Sequence, residues 1–99
     1  MSRYKVYVKP QAFREIKALP GNIRHRVRRA IGALADDPRP ARSKALETEF
    51  DRELWRLRLD RWRIVYTIAE PDLIVDVLAI RKRPPYDYAD LEKLLEDMG

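Results

Sequence analysis

Residues 53–68, ELWRLRLDRWRIVYTI, decide how this chain folds. From Trp55 onward apolar and basic residues alternate as Trp55, Arg56, Leu57, Arg58 and Leu59, the period-two pattern of a strand with one buried face. A second apolar run begins at Trp62, after only Asp60 and Arg61. A hairpin turn centred on those two residues pairs Leu59 with Trp62, Arg58 with Arg63, Leu57 with Ile64 and Arg56 with Val65. Trp55, Leu57, Leu59, Trp62, Ile64 and Tyr66 then share a core face, while Arg56, Arg58 and Arg63 cluster on the other.

Like charges directly opposite each other on a sheet are destabilising by about 0.2 to 1 kcal/mol, so three clustered guanidiniums point to an anion between them. Phosphate fits best, because the planar guanidinium fork meets two of its oxygens at once. The plainer reading is an outer hairpin face kept charged so that the sheet stays soluble and monomeric.

Working outward, the segment from Arg3 to Lys9 alternates Tyr4, Val6 and Val8 with Lys5, Tyr7 and Lys9, and reads as a first strand. Pro10 suits the first turn of a short helix carrying Ala12, Phe13, Ile16 and Leu19. Pro20-Gly21 breaks it, and Asn22 is the expected cap of a second helix from Ile23 to Asp36. Ile23, Val27, Ala30, Ile31 and Leu34 form its apolar stripe, and so short a break folds the two helices into an antiparallel hairpin. The opposite face holds Arg24, His25, Arg26, Arg28 and Arg29, either a nucleic-acid contact or a solvated surface, with His25 a surface residue rather than a catalyst.

After Asp36-Asp37-Pro38-Arg39-Pro40 a loop is expected to about Thr48, with Lys44 an isolated basic residue. Beyond the turn at Glu70-Pro71-Asp72, residues 73–80, LIVDVLAI, read as a central strand covered on both faces. If Leu73, Val75, Val77 and Ala79 face the core, Asp76 falls on the arginine face near Arg63. Arg81-Lys82-Arg83, Pro84-Pro85-Tyr86-Asp87-Tyr88 and a short helix over about 89–98 complete the chain. The expected fold is α+β in the order β-α-α-β-β-β-α, an antiparallel-rich curved sheet packed against a two-helix hairpin, in one domain spanning 1–99.

Composition removes several functions. With no cysteine and one histidine, the chain has no disulfide framework, no thiol nucleophile and no cysteine- or histidine-rich metal centre, so no cofactor is expected. No apolar run approaches a membrane span, and MSRYKVYVKP lacks the apolar core of a signal peptide, so a cytoplasmic protein without a membrane partner is expected. Residues 1–86 hold 20 Lys and Arg against 11 Asp and Glu, and residues 87–99 hold one against five, so a body of +9 carries a tail of −4. Such a body attracts polyanions: nucleic acid or an acidic protein.

The element order, the helix end ALADDPRP, the hairpin LWRLRLDRWRIVYTI and the strand LIVDVLAIRKR followed by a tyrosine resemble the RelE/ParE superfamily of bacterial type II toxins, from about Tyr4 to Leu95. RelE-like members cleave mRNA, usually on the ribosome, whereas ParE-like members poison DNA gyrase without cutting RNA. The RelE-like branch implies a metal-independent endoribonuclease with Arg58, Arg63, Arg83 and Tyr88 catalytic, and with Arg56, Lys82 and Tyr86 binding RNA. A ribose 2′-hydroxyl would attack the adjacent phosphate, with arginines stabilising the phosphorane, Arg83 near the leaving oxygen and Tyr88 positioning a base.

Where the family often has lysines, this chain has Arg56 and Arg58, and arginine does not give up its proton. The general base is thus unassigned: Glu47, Glu49 and Glu53 are candidates, and their plainer reading is a solvated loop carrying acids. The implied partners are mRNA, the ribosome and a cognate antitoxin with an acidic, amphipathic segment, the complex binding operator DNA through the antitoxin. The alternatives are a gyrase inhibitor and a weakened toxin acting mainly within an antitoxin repressor complex.

Overall fold

A computed structural model describes residues 3–48 and 52–82. Within them the chain runs β1 (Lys5–Val8), α1 (Pro10–Lys17), α2 (Gly21–Ala33), β2 (Ser43–Leu46), β3 (Glu53–Leu59), β4 (Trp62–Ala69) and β5 (Ile74–Lys82). The strands form one sheet in the order β1-β5-β4-β3-β2, with β1 parallel to β5 and every other pair antiparallel. The expected terminal helix lies outside the described residues.

The hairpin adopts the register its alternation dictates, pairing Leu59 with Trp62, Arg58 with Arg63, Leu57 with Ile64 and Arg56 with Val65. Only Asp60 and Arg61 separate the strands, and Asp60 takes a positive φ of 55°, a conformation that a short polar side chain tolerates without glycine.

The two helices cover one face of the sheet. Pro10 opens α1 at its first turn, where a missing N–H costs nothing, and Ala12 and Ile16 turn inward. Val27 and Ile31 of α2, with Leu34 just beyond it, meet Leu57, Ile64, Tyr66, Ile68, Val75, Val77 and Ile80 of the sheet in a single core. Trp55, Leu59 and Trp62 pack at its margin, so the core face of the hairpin is the one the alternation marks.

Four expectations change. The loop before the hairpin contains β2, an edge strand whose Ser43 to Leu46 pair with Leu57 to Leu54. Asn22 does not cap α2: the helix starts at Gly21 with Pro20 in the cap position and no side-chain cap. It also ends at Ala33 rather than Asp36, the amides of Leu34, Ala35 and Asp36 closing tighter turns onto Ile31, Gly32 and Ala33.

The fourth change lies in β5. Val77 opposes Tyr66 and Ala79 opposes Val65, leaving Leu78 as an extra residue in a β-bulge. Val75 and Val77 keep the core parity, but the bulge turns Ala79 to the opposite face and brings Ile80 to the core. Asp76 does lie off the core face, yet its partner is Arg52 at 3.3 Å, because Arg63 sits farther along β4 opposite Arg81. The sheet is buried on both sides in its middle, since Leu54, Val65, Thr67, Leu78 and Ala79 are also inaccessible.

Candidate functional site

Register fixes where the arginines stand. Arg58 of β3 opposes Arg63 of β4, and Arg63 opposes Arg81 of β5, so three guanidinium-bearing residues form one transverse row across adjacent strands on the face away from the helices. The bulge at Leu78 puts Arg81 there; an unbroken alternation from Val77 would have turned it toward the core. One position back along β3, on the same face, Arg56 opposes Lys44 of β2. The face thus gathers Lys44, Arg56, Arg58, Arg63 and Arg81, two of which, Lys44 and Arg81, the sequence reading did not select.

The three members of the row have different surroundings. Arg58 is exposed and its guanidinium has no ion pair or hydrogen bond to another described residue. Arg63 is 7% exposed, and its Nη1 donates to the carbonyl oxygens of Asp60 and Trp62, both at 2.9 Å, which ties it to the hairpin turn. Arg81 pairs with Glu15 of α1. Glu15 also accepts the Ile80 amide at 2.8 Å and the Gln11 side-chain amide at 2.8 Å, so it closes the edge of β5 where β1 has ended and holds the third arginine at once.

The remaining candidates among the described residues are not brought to the row. Lys82 opposes Trp62 and so shares the helix side of the sheet. Arg83, Tyr86 and Tyr88 lie outside the described residues, as does Glu49. Glu53 stands five residues from Arg58 along β3, about 17 Å at strand spacing. It is committed there to Arg39, whose Nη2 donates at 2.6 Å, and it accepts the Trp55 indole N–H at 3.1 Å. Glu47 is exposed just beyond β2.

Arg39 is the centre of a second cluster that sequence did not reveal. It joins Glu53 and Glu70 and lies 5.8 Å over the Trp55 ring, anchoring the segment after α2 to the far end of the hairpin. The Glu53 carboxylate holds the Arg39 guanidinium above its ordinary range, and the Tyr4 hydroxyl, with Arg39 behind it, keeps Glu70 below the usual carboxylate range. Tyr66 reaches from β4 under the same segment and donates to the Pro38 carbonyl at 2.7 Å.

On the other side of the hairpin turn, Arg26 pairs with Asp60, whose carboxyl is thereby lowered in pKa. This contact fastens α2 to the turn. Among the described residues no group of three or more His, Cys, Asp or Glu could hold a metal, and no helix is long and apolar enough to cross a membrane.

Residues 6–84 match the family model of the ParE toxin of the type II toxin-antitoxin system parDE. Among solved structures, the archaeal RelE–RelB complex from Pyrococcus horikoshii is similar at a TM-score of 0.76 and 25% identity, over 87% of this chain and 100% of that one. The toxin-antitoxin complex RelBE2 from Mycobacterium tuberculosis follows at 0.68 and 27%, over 81% and 98%. The isolated E. coli RelE toxin shares the fold at 0.64 and 19%, over 97% and 99%. No curated protein matches the chain.

Proposed function

The chain belongs to the ParE family of toxins of type II toxin-antitoxin systems, and from that premise we propose that it acts by cleaving RNA. The observation that carries the proposal is the transverse row of Arg58, Arg63 and Arg81, a concentration of fixed cations on one face of the sheet. Like charges in register cost stability, and a phosphodiester between them would reverse that cost. In the reaction a ribose 2′-oxygen bonds to phosphorus as the bond to the 5′-oxygen breaks, leaving a 2′,3′-cyclic phosphate and a 5′-hydroxyl. The phosphorane formed on the way carries more negative charge than the diester, and preorganised guanidiniums favour it over the ground state.

In this scheme Arg63, immobilised on the turn carbonyls, is the rigid member, and exposed Arg58 closes on the phosphate. Arg83 serves the leaving oxygen and Tyr88 positions a base, while Arg56 and Tyr86 extend the contact to flanking nucleotides. The substrate is mRNA on the ribosome. Neutralisation falls to an antitoxin with an acidic, amphipathic segment, and operator DNA binds the complex through that antitoxin. A groove of about 380 Å³ between α2 and β3 suits such a segment, with Ala30, Ala33, Leu34 and Leu57 for its apolar side and Arg42 and Arg58 for its acidic one. A segment seated there would also cover Arg58.

A second reading, a non-enzymatic inhibitor of DNA gyrase, is favoured by the family model itself and by the engagement of Arg63 and Arg81 with protein groups. One experiment separates the two. The chain is induced in cells and RNA 5′ ends are mapped, with Arg58→Ala beside the parent. New 5′ ends that vanish in the variant support cleavage; growth arrest with a DNA-damage response and no new ends supports the gyrase reading.

A further inference from the structure

α2 is charged in a way that the fold does not need. Its thirteen residues include Arg24, His25, Arg26, Arg28 and Arg29 and no acid. Arg24 and Arg28 stand four residues apart on the helix surface, a spacing at which like charges oppose helix formation. Arg24 also falls in the first turn, where the helix dipole disfavours cations.

Two of the five have structural work. Arg26 holds Asp60 at the hairpin turn, and Arg24 donates to the Leu19 carbonyl at 3.4 Å, at the end of α1. The other three, His25, Arg28 and Arg29, are exposed and line a shallow depression of about 510 Å³. Neither Arg28 nor Arg29 has an ion pair to another described residue.

We propose that His25, Arg28 and Arg29 form a docking surface for the phosphate backbone of RNA, separate from the arginine row on the sheet. The lining decides the occupant. Protein interfaces have apolar centres depleted of charge, whereas nucleic-acid interfaces are polar and strongly basic. Among the described residues this depression is lined by His25 and two fixed cations, Arg28 and Arg29, with no acid, and an acidic amphipathic segment has the apolar groove between α2 and β3 instead. Backbone contacts of this kind position a protein on RNA without reading sequence. The Arg26–Asp60 pair joins the helix to the turn that anchors Arg63, so RNA docked on α2 is held in a fixed relation to the row. Only the choice of RNA over DNA rests on the function proposed above.

The test uses the full chain and a labelled single-stranded RNA with 2′-O-methyl riboses, which cannot be cleaved by 2′-oxygen attack. Affinity is measured by anisotropy across a salt series. Replacing Arg28 and Arg29 together by alanine removes two phosphate contacts, so the slope of log K against log salt becomes shallower by about 1.4. The Arg14→Ala, Lys17→Ala pair, on the exposed side of α1, removes the same charge and leaves the slope unchanged. An unchanged slope in the α2 variant overturns the proposal, as does an equal loss in both variants, which would reflect net charge alone. Loss of antitoxin binding with full RNA affinity overturns it in favour of an acidic protein. Because this RNA cannot be cut, failure of the cleavage proposal leaves the result readable.

Discussion

Arg58 and Arg63 are direct cross-strand partners, yet one is exposed and the other is 7% exposed with its guanidinium bound to two turn carbonyls. Their substitutions therefore separate. Arg58→Ala abolishes RNA cleavage and changes stability by no more than about 0.5 kcal/mol, as exposed positions do. Arg63→Ala abolishes cleavage too, but also destabilises the fold by about 1 to 3 kcal/mol, since two carbonyls lose a charged donor. Thermal melts beside 5′-end mapping of the same two proteins check both halves.

Glu15 joins α1 to the end of β5 through an amide and a guanidinium. Its pair with Arg81 is largely shielded, with side chains 21% and 15% exposed. Glu15→Gln keeps the shape, loses the charge, and lowers unfolding free energy by about 1 to 2 kcal/mol. Urea denaturation measures this, and Gln11→Ala, which removes only a neutral donor, costs less.

Thr67 is fully buried and its hydroxyl has no hydrogen-bond partner among the described residues. A buried polar group without a partner is destabilising, so the isosteric change Thr67→Val raises stability, by up to about 1 kcal/mol. The expected readout is a higher Tm.

Burial pushes the Tyr66 hydroxyl up from 10 to about 12. The folded state therefore keeps the proton longer than the unfolded chain does. The stability this supplies is complete below pH 10 and is lost as pH rises from 10 through about 12, a span worth up to about 3 kcal/mol for a fully buried group. Tyr66→Phe removes the bond to Pro38, costs about 1 kcal/mol at pH 8, and flattens the decline between pH 10 and 12. Chemical denaturation at stepped alkaline pH gives both values.

The hairpin was legible because two residues between two alternating runs leave only one register that keeps both tryptophans with the core. The face shared by Arg56, Arg58 and Arg63 followed from that alone. β2 was not legible: Ser43 to Leu46 lack an apolar alternation, and the strand is defined by its pairing with β3. Arg39 could not be connected to Glu53 and Glu70 from sequence, because the three meet only when both ends of the hairpin come under the segment after α2. The sequence places Lys82 rather than Arg81 on the face of Arg63 for one reason: the run LIVDVLAI is apolar on both faces, so it carries no mark of the residue that bulges.

That extra residue resets the phase of everything C-terminal to it in the strand. A relative without it would present, at the same point in space, the residue that column-by-column matching sets beside Ile80 or Lys82. Comparing letters across such toxins would then credit or deny the third cation wrongly, and only strand phase would reveal which members carry the full set.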